Sequence, residues 1–281
     1  MNRRRFVQTS LLGATFAAIA GNQSLKGCAF CKKPGDPTAG LKLGVASYSL
    51  RNFTLDQAIE MTRQLDVRYI TLKDMHLSLK STPEEFASAR KKLQDAGLVL
   101  MGGGVIYMNS EAEVRNAFAY AKNAGMPTIV GSPDPALLKL VEQQVKDTDI
   151  RLAIHNHGPG DLRFPSPFDV WEAVKNLDGR IGLCIDVGHT VRIGVDPVEA
   201  IRKCSARLHD FHIKDVTAAE PKGETLAVGR GIVDIVAVLK ALKAVRFSGH
   251  LALEYEANAD NPMPGMIESF AYMKGVMATM G

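Results

Sequence analysis

RLAIHNHGPG occupies residues 151–160. Leu152-Ala153-Ile154 is a short apolar run of the kind that forms a buried strand. It ends in His155, Asn156 and His157, and Gly158-Pro159-Gly160 then turns the chain. Residues 155 and 157 share one side of an extended chain, so two imidazoles leave the strand together just before a turn. A lone histidine there reads as a satisfied core residue. Two of them, at the carboxyl end of an apolar strand, suit a fold that gathers its chemistry at strand ends.

The same unit recurs on both sides. LKLGVASYSL (41–50), RYITLKDMHL (68–77), LVLMGGGVIY (98–107) and TIVGSP (128–133) precede it; RIGLCIDVGHT (180–190), RLHDFHIKDV (207–216) and GHLALEYE (249–256) follow. Helical periodicity fills the gaps. One helix starts near Thr54, and another starts at Ser81-Thr82-Pro83-Glu84 and stops at Gly97; the rest fall near 110–124, 136–146, 168–177, 197–203, 234–244 and 263–280. Eight strand–helix units over residues 41–281 predict a (β/α)8 TIM barrel. A doubly wound sheet would carry an early phosphate loop, but Gly102-Gly103-Gly104 lies inside a strand without the G-x-G-x-x-G frame.

Residues 1–20, MNRRRFVQTSLLGATFAAIA, read as an export signal: a basic cluster, then an apolar run too short to stay as a membrane-spanning helix. Arg-Arg before Phe-Val resembles the twin-arginine address of bacteria. A linker over 21–40 follows, and Cys28 offers a lipid-anchor alternative. The expected location is therefore periplasmic or otherwise exported. Cys28 and Cys31 have C-x-x-C spacing but no second ligand pair nearby, which argues against a zinc knuckle. Cys184 and Cys204 read as packing residues. The net charge of +4 includes Arg3, Arg4 and Arg5, so the barrel itself is close to neutral and nucleic acid is not an expected partner.

Strand ends collect the ionisable residues: Lys73 and His76; His155 and His157; Asp186 with His189; His212, Lys214 and Asp215; Glu254 and Glu256. His209 and His250 alone among the histidines fall at strand starts. Carboxylates and imidazoles from consecutive strands form a mixed N/O set suited to one divalent ion such as Mn²⁺, Co²⁺ or Zn²⁺, and an ion would offset the cost of burying the carboxylates.

IDVGH (185–189), HIKD (212–215), GRGIVD (229–234) and LALEYE (251–256) together resemble the xylose-isomerase-like sugar phosphate isomerase/epimerase superfamily, and the resemblance covers residues 41–281. It implies one divalent metal held by His155, Asp186, His212 and Glu254. It also implies a substrate contact at His189, a small-molecule sugar substrate and a homodimer. Many epimerases of the group have glutamate in an E-N-H run where this chain has His155 in H-N-H, which leaves Glu254 as the single carboxylate of the proton-moving pair. Arg230 stands where GEGxxD is common.

The expected reaction is metal-dependent isomerisation or epimerisation of a non-phosphorylated sugar or keto-sugar by proton abstraction beside a carbonyl. Glu254 and His155 are the expected catalytic residues; His189, His157, Lys73, Lys214 and Arg230 are the expected substrate contacts. The alternatives are a lyase or hydratase acting on 3-keto-glycosides or their glycal products, and a non-catalytic sugar-binding protein.

Overall fold

The structure is a computed structural model that describes residues 38–280. The expected export signal, Cys28 and most of the expected linker lie outside the described residues. The strands are β1 (Lys42–Ala46), β2 (Tyr69–Leu72), β3 (Val99–Met108), β4 (Thr128–Pro133), β5 (Arg151–His155), β6 (Ile181–Asp186), β7 (Leu208–Ile213), β8 (Asp215–Val216), β9 (Thr225–Leu226) and β10 (His250–Leu253). The helices are α1 (Leu55–Gln64), α2 (Pro83–Asp95), α3 (Glu111–Ala124), α4 (Leu138–Thr148), α5 (Pro167–Val174), α6 (Val187–Arg192), α7 (Pro197–Cys204), α8 (Ile235–Ala244) and α9 (Met263–Ala278).

Eight strands close into a parallel barrel in the order β1-β10-β7-β6-β5-β4-β3-β2, while β8 and β9 pair as a small antiparallel ribbon. This is the TIM barrel expected from the sequence. Every residue of β4 and β6 is buried, because such strands face barrel interior on one side and helices on the other. Helix starts are fixed locally. Thr54 with Gln57, Thr82 with Glu85, and Ser166 with Asp169 form reciprocal capping boxes. Among the described residues no helix is long and apolar enough to cross a membrane.

Register sets which side chains meet. Asp186 of β6 pairs with His212 of β7, and His155 of β5 with Cys184 of β6. The β6–β7 register shifts after Leu183, so that Leu208 and Asp210 face successive β6 residues and His209 is the extra one. Without that shift His212 would turn to the other face. The extruded His209 instead bonds the Gly179 carbonyl at 3.0 Å.

Several strands are shorter than the sequence stretches suggested, and the first and seventh show why. The first bends into a 3-10 turn at Ser47–Leu50, where the Ser49 hydroxyl bonds the Leu253 carbonyl. The seventh stops at Ile213. Beyond it the Asp215 carboxylate accepts backbone N–H bonds from Val216, Gly229, Gly231 and Val233, which draws the chain into the ribbon and fastens the GRGIVD loop.

Candidate functional site

Asp186 closes β6 and caps α6. Its Oδ1 accepts the His189 N–H at 2.8 Å, while its own N–H bonds Asn156 Oδ1 at 3.0 Å. Asn156 thus serves the backbone, as its outward place in H-N-H suggests, and Asp186 Oδ2 is left to point at the barrel axis. There it lies 3.5 Å from His155 Nε2 and 4.0 Å from His212 Nδ1. His155 Nε2 and His212 Nδ1 are 3.1 Å apart, and His212 Nδ1 lies 3.3 Å from Glu254 Oε2. Donor atoms of His155, Asp186, His212 and Glu254 all fall within 4.8 Å of one another, close enough to hold a metal ion.

The chemistry of this set fits a divalent cation. Two ring nitrogens and two carboxylate oxygens converge, all buried. Asp186 Oδ2 is buried without any hydrogen-bond donor, although the Lys214 ammonium stands 3.1 Å away without the alignment of a hydrogen bond.

Burial, only partly offset by Asp186, drives the His155 imidazole down to about 3. Burial also opposes charge on His212, but Glu254, Asp210 and Asp186 carry it from its ordinary 6.5 up to about 9. Asp186 and Glu254 resist burial in the same way: Lys214 holds both well below the usual carboxylate range. His157 and His189 are pushed down by burial.

Lys214 is fully buried. Its Nζ stands 3.1 Å from Asp186 Oδ2, 3.0 Å from Glu254 Oε2 and 2.9 Å from Glu256 Oε2. It therefore lies beneath the cluster as a shared counter-charge and does not line the cavity. Its partners are these three carboxylates and not the adjoining Asp215, which binds the loop backbone.

A cavity of about 290 Å³ opens on the cluster, and its walls include His155, His157, His189, Lys73 and Glu254. Lys73 donates to the Val105 carbonyl at 2.5 Å. His189 caps the cluster side of the cavity, its ring 5.8 Å from that of His155. Arg230 is placed elsewhere: its guanidinium is 69% exposed and pairs with Glu268, because the Asp215 anchors turn the loop outward. His76 is structural, with Nδ1 2.9 Å from the Ser47 hydroxyl and Nε2 3.2 Å from the Leu50 carbonyl.

Four further residues complete the walls: Tyr48, Val105, Tyr107 and Glu256. Tyr107 Oη hydrogen-bonds His157 Nε2 at 3.0 Å, and Asp161 Oδ2 lies 3.3 Å from the other ring nitrogen, His157 Nδ1. Tyr107 reads as a core aromatic in the sequence; only its place at the end of β3 signals otherwise.

A family model described as xylose isomerase-like TIM barrel matches residues 53–276. Inosose dehydratase of Clostridium botulinum (strain Eklund 17B / Type B) is 25% identical over 154 residues, 49% of this chain and 51% of that protein. The chain thus matches about half the length of this curated relative. An uncharacterized protein from Parabacteroides distasonis superposes with a TM-score of 0.66 at 25% identity, covering 83% of this chain and 98% of the other. L-ribulose 3-epimerase superposes with a TM-score of 0.69 at 15% identity over 85% of this chain and 95% of the other, a likeness of fold.

Proposed function

The chain belongs to the xylose isomerase-like TIM barrel family, and from that premise we propose that it is a divalent-metal-dependent isomerase or epimerase of a non-phosphorylated keto-sugar. The observation that carries this reading is that His155 and Glu254 belong both to the four-donor cluster and to the cavity wall. Substrate oxygens entering the cavity therefore meet the same groups that would hold the ion.

His155, Asp186, His212 and Glu254 would hold it. A bound divalent ion would supply Lewis acidity toward a carbonyl and its neighbouring hydroxyl. Glu254 Oε2 faces Lys214 and His212, which leaves Oε1 to take the proton from the carbon beside that carbonyl. His189 and His157, kept neutral by burial, bind substrate oxygens, and Lys73 polarises one of them. Acidic wall residues speak for a neutral substrate. Glu254 and Glu256 face the cavity against the single ammonium of Lys73, and among the described lining residues there is no arginine, whereas a phosphate group calls for a basic fork.

A second reading is elimination or hydration, which needs one base instead of a pair. His155 in place of a second glutamate favours it, as does the 25% identity to an inosose dehydratase. In either case the chain is organised as export signal (1–20), linker (21–40) and catalytic barrel (41–281), acting outside the cytoplasm.

Purified protein should contain about one divalent ion per chain and, so loaded, should exchange a carbon-bound hydrogen of a keto-sugar for deuterium from solvent. Retained deuterium in a product of unchanged composition identifies isomerisation or epimerisation; loss of water or of an alcohol identifies elimination. No ion uptake and no exchange would overturn the enzyme reading and bring the sugar-binding alternative forward.

Ion uptake should also release a proton. With its folded pKa raised, His212 stabilises the ion-free protein fully below 6.5, and that contribution is lost as pH rises through about 9. Between those values the ion displaces the proton. Calorimetry in buffers of different ionisation enthalpy should find about one proton released near pH 7.5, fading above pH 9.

A further inference from the structure

The reaction cavity, at about 290 Å³, is at the small end for a ligand site and suits one sugar ring. A second cavity of about 460 Å³ descends between α2 and α3, and Tyr107 is a wall of both. We propose that this groove is a second sugar-ring subsite. On the keto-sugar reading above, the substrate is then a glycoside, with its reacting ring before His155 and Glu254 and its second ring over Tyr107.

Tyr107 is 53% exposed, unusual for a large aromatic side chain at the end of a barrel strand. It is nevertheless held in one orientation. Its hydroxyl bonds His157 at 3.0 Å, and its ring stacks on the imidazole at 5.4 Å between centroids and 26° between planes. A fixed aromatic plate with one open face takes the C–H face of a sugar ring.

The groove supplies what the hydroxyls of that ring need. Asn116, Ala119 and Asn123 line it along α3, three and seven residues apart and so on one face of the helix. Positions 116 and 123 lie about 10 Å apart along the helix axis at 1.5 Å rise per residue, with a small residue between them, a floor long enough for one ring. Each amide offers donors and an acceptor, and within the described residues neither side chain hydrogen-bonds another group. Lys80, Ser81 and Glu113 add further polar groups, the Glu113 carboxylate accepting the Asn109 N–H. Amides, a hydroxyl and an aromatic plate, with one lysine balanced by one glutamate and no arginine among the lining residues, recognise a neutral polyhydroxylated ring.

The test is calorimetric binding of methyl glucoside and of three glucose disaccharides (maltose, cellobiose and trehalose) to the ion-loaded wild type and to N116L and N123L. Both positions are exposed, so the variants should fold. At least one disaccharide should bind about tenfold more tightly than methyl glucoside. Each substitution should remove most of that advantage and leave the methyl glucoside affinity unchanged. Equal affinity for one ring and two, or an advantage that survives both substitutions, overturns the subsite alone. Failure of every sugar to bind also overturns the subsite, while the keto-sugar reading it rests on stands or falls separately by deuterium exchange, because none of these sugars carries a ketone.

Discussion

Replacing Lys214 with Met should cost the ion-free protein about 3–5 kcal/mol of stability, the usual penalty for removing one partner of a buried charge group. The ammonium is fully buried and within 3.1 Å of three carboxylates. Methionine fills much the same volume, so the loss would report charge and not packing. Without the ammonium, Asp186 and Glu254 repel each other across the cluster, with only the His212 imidazolium left to oppose them. Two conditions should shrink the loss. A divalent ion supplies the missing positive charge, so unfolding by urea with Mn²⁺ should show a smaller difference than unfolding with chelator. Acid should do the same. Lys214 depresses both carboxylate pKa values, so its stabilisation is present above the ordinary carboxylate range and lost as pH falls through the depressed values. A loss below about 1 kcal/mol, as for an exposed ion pair, would show that these carboxylates are hydrated and do not depend on Lys214.

Glu254→Gln should lower the rate of deuterium exchange by about 10²- to 10⁴-fold, the range a positioned general base contributes. The amide keeps the shape and one oxygen but accepts no proton. The same change weakens ion binding, so the rate must be compared at saturating Mn²⁺, with the bound ion measured directly. Arg230→Ala is the control. Its guanidinium pairs with Glu268 outside the cavity, and the variant should exchange within about twofold of wild type, as surface changes usually do. Exchange by Glu254→Gln at the wild-type rate with the ion bound would take the base assignment away from this residue.

How far the sequence foretold all this depends on whether a role is local. The barrel was legible because each unit announces itself within a dozen residues: an apolar run, a Thr or Ser cap, a glycine stop. The gathering of ionisable residues at one rim was legible because parallel strands of one barrel must end there, and the family resemblance picked His155, Asp186, His212 and Glu254 out of them. Lys214 was misjudged as a group for the substrate, since its burial depends on carboxylates from β6 and from the chain after β10 closing over it. Arg230 misled for a related reason. Only the folded loop shows Asp215 gathering four backbone N–H groups and turning the guanidinium away. Tyr107 went unnoticed because an aromatic residue after Val105-Ile106 looks like more core, and nothing in the sequence pairs it with His157.

Gly188 gives the IDVGH run a meaning that its spelling hides. A methyl group at that position would lie 2.8 Å from Lys214 Cδ and 3.0 Å from its Cγ, so the first turn of α6 rests on the aliphatic stem of the lysine. The glycine of one motif is the socket for the lysine of the other. Among relatives the two positions should therefore covary: chains that lose the lysine become free to carry a larger residue in the D-V-G-H turn, and those that keep it do not.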